Sequence, residues 1–256
     1  MADVQRILDI DLDFFVTPVV HWPPDDERRP ADDYSVWPVD RAIDFLRDRC
    51  GLTGKLPGFL TENHSELFPL WRDGLESELL KPPFHVTHLD AHADLGLGDA
   101  GYVYLMTSLL FDPPEKRRYP KVGPAGLNDG NFLLFATACR WIHDLTYIYG
   151  DGGGEDELFL VMKDFDPRSD HIQLAATTKE DIDAVIHDLD KRLSASHFEP
   201  AVPYTSSHWN DFQSDGPYDF VCLTRSPPYT PSTADSLYDA IRDTFIESIT
   251  PSSTLR

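Results

Sequence analysis

The sequence contains few cysteines. Only Cys50, Cys139 and Cys222 occur in 256 residues, far apart and without a CxxC pair. An odd, widely spaced set of this kind does not provide the paired framework of a small disulfide-stapled domain. We therefore interpret the three thiols as small core residues of a protein in a reducing compartment.

Long apolar runs are absent as well. The longest, YVYLMTSLLF from Tyr102 to Phe111, is too short to cross a bilayer. The first residues, MADVQRILDIDLD, have neither the basic nor the apolar region of a signal peptide. We therefore expect a cytoplasmic protein that does not act at a membrane.

Basic residues are scarce relative to acidic ones. The chain has 22 lysines and arginines against 44 aspartates and glutamates, a net charge of −22. Such a charge repels nucleic acids and anionic membranes and attracts cations. Solubility or adaptation to salt is the ordinary explanation. The more specific one is a cationic ligand: a metal ion, a basic peptide, or both.

What the sequence does contain is enough apolar material for one large core. Its hydrophobic content is 41%, and its length fits a single domain over residues 1–256. Short apolar runs alternate with helical patterns, which is typical of an α/β fold. Strands are predicted at 6–15, 57–63, 84–92, 145–149, 157–163, 202–208 and 218–225. Helices are predicted at 39–49, 65–80, 129–143, 178–194 and 232–249.

Two of the predicted strands carry ionisable side chains on alternate residues, which an extended chain points to one face. In LDIDLDFF these are Asp9, Asp11 and Asp13. In HLDAHADL they are His88, Asp90, His92 and Asp94. Aspartate disfavours strands, and like charges on one face repel. A solvated edge would be an ordinary explanation for either strand alone, but a shared cation explains both.

A third predicted strand ends in Glu62-Asn63-His64-Ser65. His64 therefore falls at the carboxyl end of a strand, where open α/β sheets build their sites. The combined candidate ligands are Asp11, Asp13, Asp90, Asp94, His64 and His92. This set is too rich in carboxylates for structural zinc, and its oxygen donors favour Mn²⁺. Six ligands indicate two ions, which together would provide a hydroxide nucleophile for hydrolysis at neutral pH.

The same residues resemble motifs of the arginase and agmatinase family. Asp90-Ala-His92-Ala-Asp94 resembles the DAHxD motif, and the segment from Thr61 to Ser65 resembles GGDHS. Asp11-Leu-Asp13, followed by Phe-Phe-Val-Thr-Pro18, resembles SxDxDxxDP. In arginases the DxD motif follows DAHxD, whereas here it comes first, so the motif order is permuted.

This permuted order is similar to a divergent branch of the arginase/deacetylase-like superfamily. Five segments carry the resemblance, in order: Asp9 to Phe14, Asn63 to Glu66, Asp90 to Asp94, Gly130 to Phe132, and Arg225 to Thr230. It implies a three-layer α/β/α fold with a mostly parallel central sheet. The branch includes peptide arginases, which convert arginine side chains of ribosomally made precursor peptides to ornithine and release urea.

The resemblance also implies roles for individual residues. Asp90, Asp11 and Asp13 would bridge or bind two manganese ions. His64 and Asp94 would complete one site and His92 the other. Asp94 would in addition act in catalysis by orienting the nucleophile, and His88 would lie behind the ligands.

Two functional groups of arginases have no evident counterpart in this sequence. For the carboxylate that holds the guanidinium, the candidates by proximity are Glu62, as a catalytic residue, and Asp9, as a substrate-binding one. Asn131 and Arg225 are expected to orient substrate or ligands, with helix capping and an ion pair as their ordinary explanations. The active-site histidine expected after DAHxD is missing, and His143 or His208 would have to replace it.

The leading expectation is thus a manganese-dependent ureohydrolase whose partner is an arginine-containing precursor peptide. Two alternatives are also hydrolases: a ureohydrolase of small free guanidines, and a deacetylase-like amidohydrolase with a single zinc. A third, from another class, is a non-catalytic, metal-stabilised peptide-binding protein. Superfamily members often form oligomers, so a homo-oligomer also stays open.

Overall fold

The computed structural model describes residues 4–96, 100–154, 159–188 and 194–249. Its strands are β1 (Arg6–Asp11), β2 (Val16–Thr17), β3 (Ser35–Val36), β4 (Leu56–Thr61), β5 (Phe84–Asp90), β6 (Ile142–Tyr149), β7 (His171–Ile172), β8 (Ala175–Thr177), β9 (Ala195–Phe198), β10 (Val202–His208), β11 (Phe220–Thr224) and β12 (Ile246–Ser248). Its α-helices are α1 (Val39–Asp48), α2 (Leu67–Glu76), α3 (Ala100–Thr107), α4 (Pro114–Arg117), α5 (Phe132–Ala138), α6 (Lys179–His187) and α7 (Asp235–Phe245).

A sheet of eight strands organises the fold, in the order β12-β4-β11-β1-β5-β6-β10-β7. Every neighbouring pair is parallel except β10 and β7, which are antiparallel. Two small antiparallel pairs, β2 with β3 and β8 with β9, lie outside this sheet. The predicted α/β class with a mostly parallel sheet is therefore confirmed.

Helices cover both faces of the sheet. On one face, strand residues such as Ile7 and Val86 share a core with α2, α3, α5 and α6. On the other, Leu8 and Ile10 pack in a second core with α1 and α7. Each central strand buries both of its faces, so apolar residues point to both cores, and the aspartates of β1 and β5 lie toward their carboxyl ends. This is the arrangement of a three-layer α/β/α fold.

Some sequence predictions need correction. The strand predicted at 157–163 is wrong in its described part, where Phe159–Val161 forms a 3₁₀ turn; residues 157 and 158 lie outside the described residues. The helix predicted at 232–249 ends at Phe245, and the chain continues as edge strand β12. Helix α3 was not predicted, because its sequence, AGYVYLMT, is apolar almost throughout and shows no helical periodicity.

Two differences in strand ends matter for the candidate ligands. Strand β1 stops at Asp11, and a 3₁₀ helix over Leu12–Phe15 takes Asp13 off the strand. Strand β5 stops at Asp90, so His92 and Asp94 lie in the loop that follows. The expectation that alternate residues share one strand face therefore holds only as far as Asp11 and Asp90.

Two expectations about composition can be checked directly. All three cysteines are buried free thiols, as predicted. No helix in the described part of the chain has the length and apolarity needed to cross a bilayer.

Candidate metal centre

The cluster of acids and histidines lies at the carboxyl edge of the sheet. Strands β4, β11, β1 and β5 are parallel neighbours, so their carboxyl ends meet there. Asp11 and Asp90 are the last residues of β1 and β5. His64 follows the end of β4, in a 3₁₀ turn over His64–Glu66. The topology thus brings together motifs that are far apart in the sequence.

The two strand-end aspartates also shape the turns that present the next ligands. Asp11 Oδ1 accepts a hydrogen bond from the backbone N–H of Asp13, at 3.1 Å. Asp90 Oδ1 accepts one from the backbone N–H of His92, at 2.8 Å. Local side-chain caps of this kind are a usual role of aspartate after a strand. They turn Asp13 and His92 back toward the cluster even though neither is on a strand.

Around His64, three carboxylates converge on one ring nitrogen. Nδ1 of His64 lies 3.1 Å from Asp11 Oδ2, 3.1 Å from Asp90 Oδ2 and 3.0 Å from Asp94 Oδ2. All four side chains are buried. One imidazole nitrogen with three carboxylate oxygens around it offers donor types that suit a divalent cation.

A second donor set forms around His92. Its Nδ1 lies 3.3 Å from Asp13 Oδ2 and 3.5 Å from Asp90 Oδ1. Asp90 therefore directs one oxygen to the His64 set and the other to the His92 set. A carboxylate shared in this way is what a pair of neighbouring ions requires.

Beneath the His64 set, Asp9 is completely buried between two imidazoles. Its carboxylate lies 3.2 Å from His64 Nε2 and 2.9 Å from His88 Nδ1. A carboxylate on the far nitrogen of a ligating histidine fixes the orientation and tautomer of its ring. Asp9 therefore positions His64. His88, the cross-strand neighbour of Asp9, lies behind the cluster but closer to it than expected, 3.3 Å from Asp90 Oδ2.

The electrostatics of the cluster show how strongly its acids need positive charge. Burial and the charge of Asp90 raise the pKa of Asp11, and they raise the pKa of Asp94 to about 7. Burial alone would also raise the pKa of Asp90, but its contacts with His64 and His92 hold it well below the usual range. Burial disfavours the charged imidazole of His92, yet contacts with Asp13 and Asp90 raise its pKa to about 12.

Unpaired buried atoms support the fit of this cluster to a metal. Asp94 Oδ2 and His92 Nε2 are buried without a hydrogen-bond partner. The nearest ring nitrogen to Asp94 Oδ2 is His64 Nδ1, at 3.0 Å. Asp94 also has a left-handed backbone, with φ of 52°, a conformation that aspartate tolerates better than most residues. The ligand atoms group within 4.8 Å of one another in sets that could hold an ion: Asp11, His64 and Asp90; Asp13, Asp90 and His92; His88, Asp90 and Asp94; and Asp9, His64 and His88.

A cavity of about 510 Å³ opens above the cluster. Besides the candidate ligands, its wall includes His21, Trp22, Asp129 and Tyr229. The rings of His21 and Tyr229 both meet the ring of His92 edge-on, at centroid distances of 5.7 and 5.4 Å. His21 had no sequence signal, because it lies in a loop without periodicity. Asp129 begins the predicted helix at 129–143 and adjoins the Gly130 to Phe132 segment, but neither signal marked its carboxylate for the cavity. Tyr229 belongs to the RSPPYT segment, which the motif resemblance did mark.

Four residues that we expected at the substrate do not line this cavity. Asp9 lies beneath the ligands. The half-exposed Glu62 pairs with Arg225 Nε at 3.2 Å, and Arg225 also pairs with Asp235. Asn131 is buried in its own loop, where it accepts from the backbone N–H of Asn128 and donates to the carbonyl of Gly126. The predicted contact with substrate does not fit the positions of these four residues.

The two histidines considered for proton transfer are also remote from the cavity wall. His143 is an exposed residue of β6 that pairs with Asp144 at 2.5 Å. His208, at the end of β10, pairs with Asp151 at 3.3 Å. The Ser226 hydroxyl, by contrast, reaches the cluster and donates to Asp11 Oδ2. Ser226 has a left-handed backbone like that of Asp94, with φ of 47°.

Fold and site together define an α/β protein with a buried cluster of carboxylates and imidazoles, able to hold a metal ion, at the carboxyl edge of a parallel sheet. The sequence matches no protein-family model and no curated protein. Any assignment of function therefore depends on the geometry of the cluster and on the motif resemblance.

Proposed function

We propose that this protein is a manganese-dependent ureohydrolase. It would hydrolyse the guanidinium group of arginine residues in a ribosomally made precursor peptide, in the cytoplasm, giving peptidyl-ornithine and urea. The observation that carries the proposal is the pair of donor sets around His64 and His92 that share the carboxylate of Asp90. Membership of the arginase/deacetylase-like superfamily is part of the same proposal.

In this proposal each donor set holds one ion. His64, Asp11 and Asp94 would hold the first, Asp13 and His92 the second, and Asp90 would lie between them. When bound, two such ions lower the pKa of water and polarise the bond to be cleaved. The protein itself contributes a closed wall of strand ends and capping turns that keeps the six side chains in place.

In this proposal the cavity mouth receives an arginine side chain presented by a polypeptide. Trp22 and Val122 line the cavity, yet they are 76% and 78% exposed. Large exposed apolar side chains beside a cavity with charged groups are typical of interaction surfaces. The net charge of −22 attracts a cationic substrate.

The second donor set distinguishes this proposal from its main alternative. A deacetylase-like amidohydrolase with one zinc would need the His64 set alone. It would leave Asp13, the partly buried His92 and the second oxygen of Asp90 with no ion to bind. The His92 set therefore favours two ions.

Urea release and metal content test the proposal. Purified protein supplied with Mn²⁺ should bind two manganese ions per chain. It should then release urea from an arginine-containing precursor peptide, and the peptide should lose about 42 Da for each arginine converted. The surface variant Asp44→Asn, on the exposed side of α1, serves as a matched control. Metal-loaded protein that changes the mass of no arginine peptide would refute the proposal, and one zinc per chain would favour the amidohydrolase.

A further inference from the structure

The cavity contains one carboxylate outside the candidate ligand set. Among the described residues of its wall, the aspartates are Asp11, Asp13, Asp90, Asp94 and Asp129. The first four approach the ring nitrogens of His64 and His92. Asp129 does not: its Oδ1 accepts a hydrogen bond from the backbone N–H of Ser65, at 2.8 Å.

Asp129 is held firmly in the wall. It follows Asn128, whose side chain caps the 3₁₀ turn by accepting from the backbone N–H of Gly130. The carbonyl of Gly130 in turn accepts from Gly96, at 2.9 Å. Asp129 therefore lies between the loop that carries His64 and the loop that carries Asp94. Its carboxylate is a fixed charge, of the kind that recognises a ligand without first having to be ordered.

Charge balance at the cavity surface favours such a group. The ligands Asp11, Asp13, Asp90 and Asp94 carry four negative charges, which two divalent ions would balance. The carboxylate of Asp9 lies beneath them, between His64 and His88, and does not line the cavity. Asp129 is the remaining negative charge on the described wall. Tyr229 lines the same cavity as Asp129. Burial raises the pKa of Tyr229, and the charges of Asp94 and then Asp129 raise it further.

We propose that Asp129 binds the guanidinium of the substrate, and this inference rests on the proposed function. Its Oδ2 would accept N–H donors from the guanidinium while its Oδ1 stays bonded to Ser65. A planar cation with several N–H donors suits a fixed carboxylate, whereas a neutral amide gains much less from it. Asp129 thereby makes a guanidinium, rather than an acyl amide, the substrate class of this cavity.

Two small ligands of the same shape test this assignment by binding alone. Methylguanidinium is a cation and methylurea is neutral, and the affinity of the manganese-loaded protein for each can be measured by calorimetry. In Asp129→Asn the amide oxygen can still accept from Ser65, so the loop is preserved and only the charge is lost. We expect the affinity for methylguanidinium to fall roughly 10- to 100-fold, the usual range for a charged hydrogen bond. The affinity for methylurea and the manganese content should stay as in Asp44→Asn.

Each outcome of this experiment decides a separate question. If wild-type protein releases urea but D129N binds methylguanidinium normally, the role of Asp129 is refuted and the ureohydrolase stands. If D129N loses methylguanidinium binding but wild-type protein releases no urea, the guanidinium site stands and the proposed function is refuted. If D129N does not fold, the wild type still decides: equal affinity for the cation and for methylurea would overturn the assignment.

Discussion

Replacement of Asp9 by asparagine should weaken one donor set and leave the other intact. Asp9 contacts His64 Nε2 at 3.2 Å and His88 Nδ1 at 2.9 Å, but no contact joins it to His92 within the described structure. Asparagine has the same shape, but it is neutral and polarises the His64 ring much less. We therefore expect the Asp9→Asn protein to bind the ion of the His64 set more weakly and to keep that of the His92 set.

The size of the effect follows from the role of such carboxylates. Loss of a carboxylate behind a ligating histidine typically lowers metal affinity about 10- to 100-fold, which is about 1.4 to 2.7 kcal/mol. The strand itself should be preserved, because Asp9 lies in the middle of β1 and its backbone pairs with both β5 and β11. The matched variant is Asp13→Asn, which should instead weaken the ion of the His92 set.

Manganese titration calorimetry, with metal content measured after dialysis, checks this prediction. Wild-type protein should retain two ions, and D9N should retain close to one. Its remaining ion should be lost when Asp13→Asn is added. Two ions bound with unchanged affinity in D9N would refute the idea that Asp9 positions His64. Loss of both ions together would refute the separation into two sets.

Three further predictions concern the shared ligand, the pH dependence and the cavity mouth. Asp90→Ala should lose both ions and all urea release, because Asp90 serves both donor sets; one ion retained at wild-type affinity would contradict this. The pKa of Asp94 is raised to about 7, so below pH 7 an incoming ion must displace its proton. Manganese affinity should therefore fall between pH 8 and pH 6, by up to about tenfold per pH unit for each proton displaced, and a pH-independent affinity in calorimetry would count against it. Trp22→Ala should raise KM for a peptide substrate several-fold and leave KM for a small guanidine unchanged, since the exposed indole lies at the mouth; an equal rise for both would place Trp22 at the guanidinium instead.

Much of the fold followed from local patterns. The short apolar runs predicted β10 at its observed bounds and β1, β4, β5 and β11 within a few residues at each end. Buried strands are rich in apolar residues, which makes them visible in the sequence. Prediction of helices and strands failed where the apolar residues showed no clear periodicity. Helix α3 is apolar almost throughout, and the edge strand β12 follows α7 without a break.

The candidate ligands could also be selected from the sequence, although for a reason that was only partly right. Aspartate and histidine on alternate residues conflict with strand preference, and that conflict pointed to Asp11, Asp90 and their neighbours. Strand periodicity does not explain Asp13, His92 and Asp94, since all three lie beyond the strand ends. Capping by Asp11 and Asp90 turns Asp13 and His92 into the cluster.

The sequence by itself determined the elements of the α/β sheet and the residue types that could bind a cation, because both depend on spacing within a few residues. Only the tertiary structure decided which acids meet the substrate cavity. It placed Glu62 against Arg225, buried Asp9 beneath His64, and brought Asp129 to Ser65 across 64 residues. Contacts between distant loops depend on how strands and helices pack as a whole, and no local pattern encodes that packing.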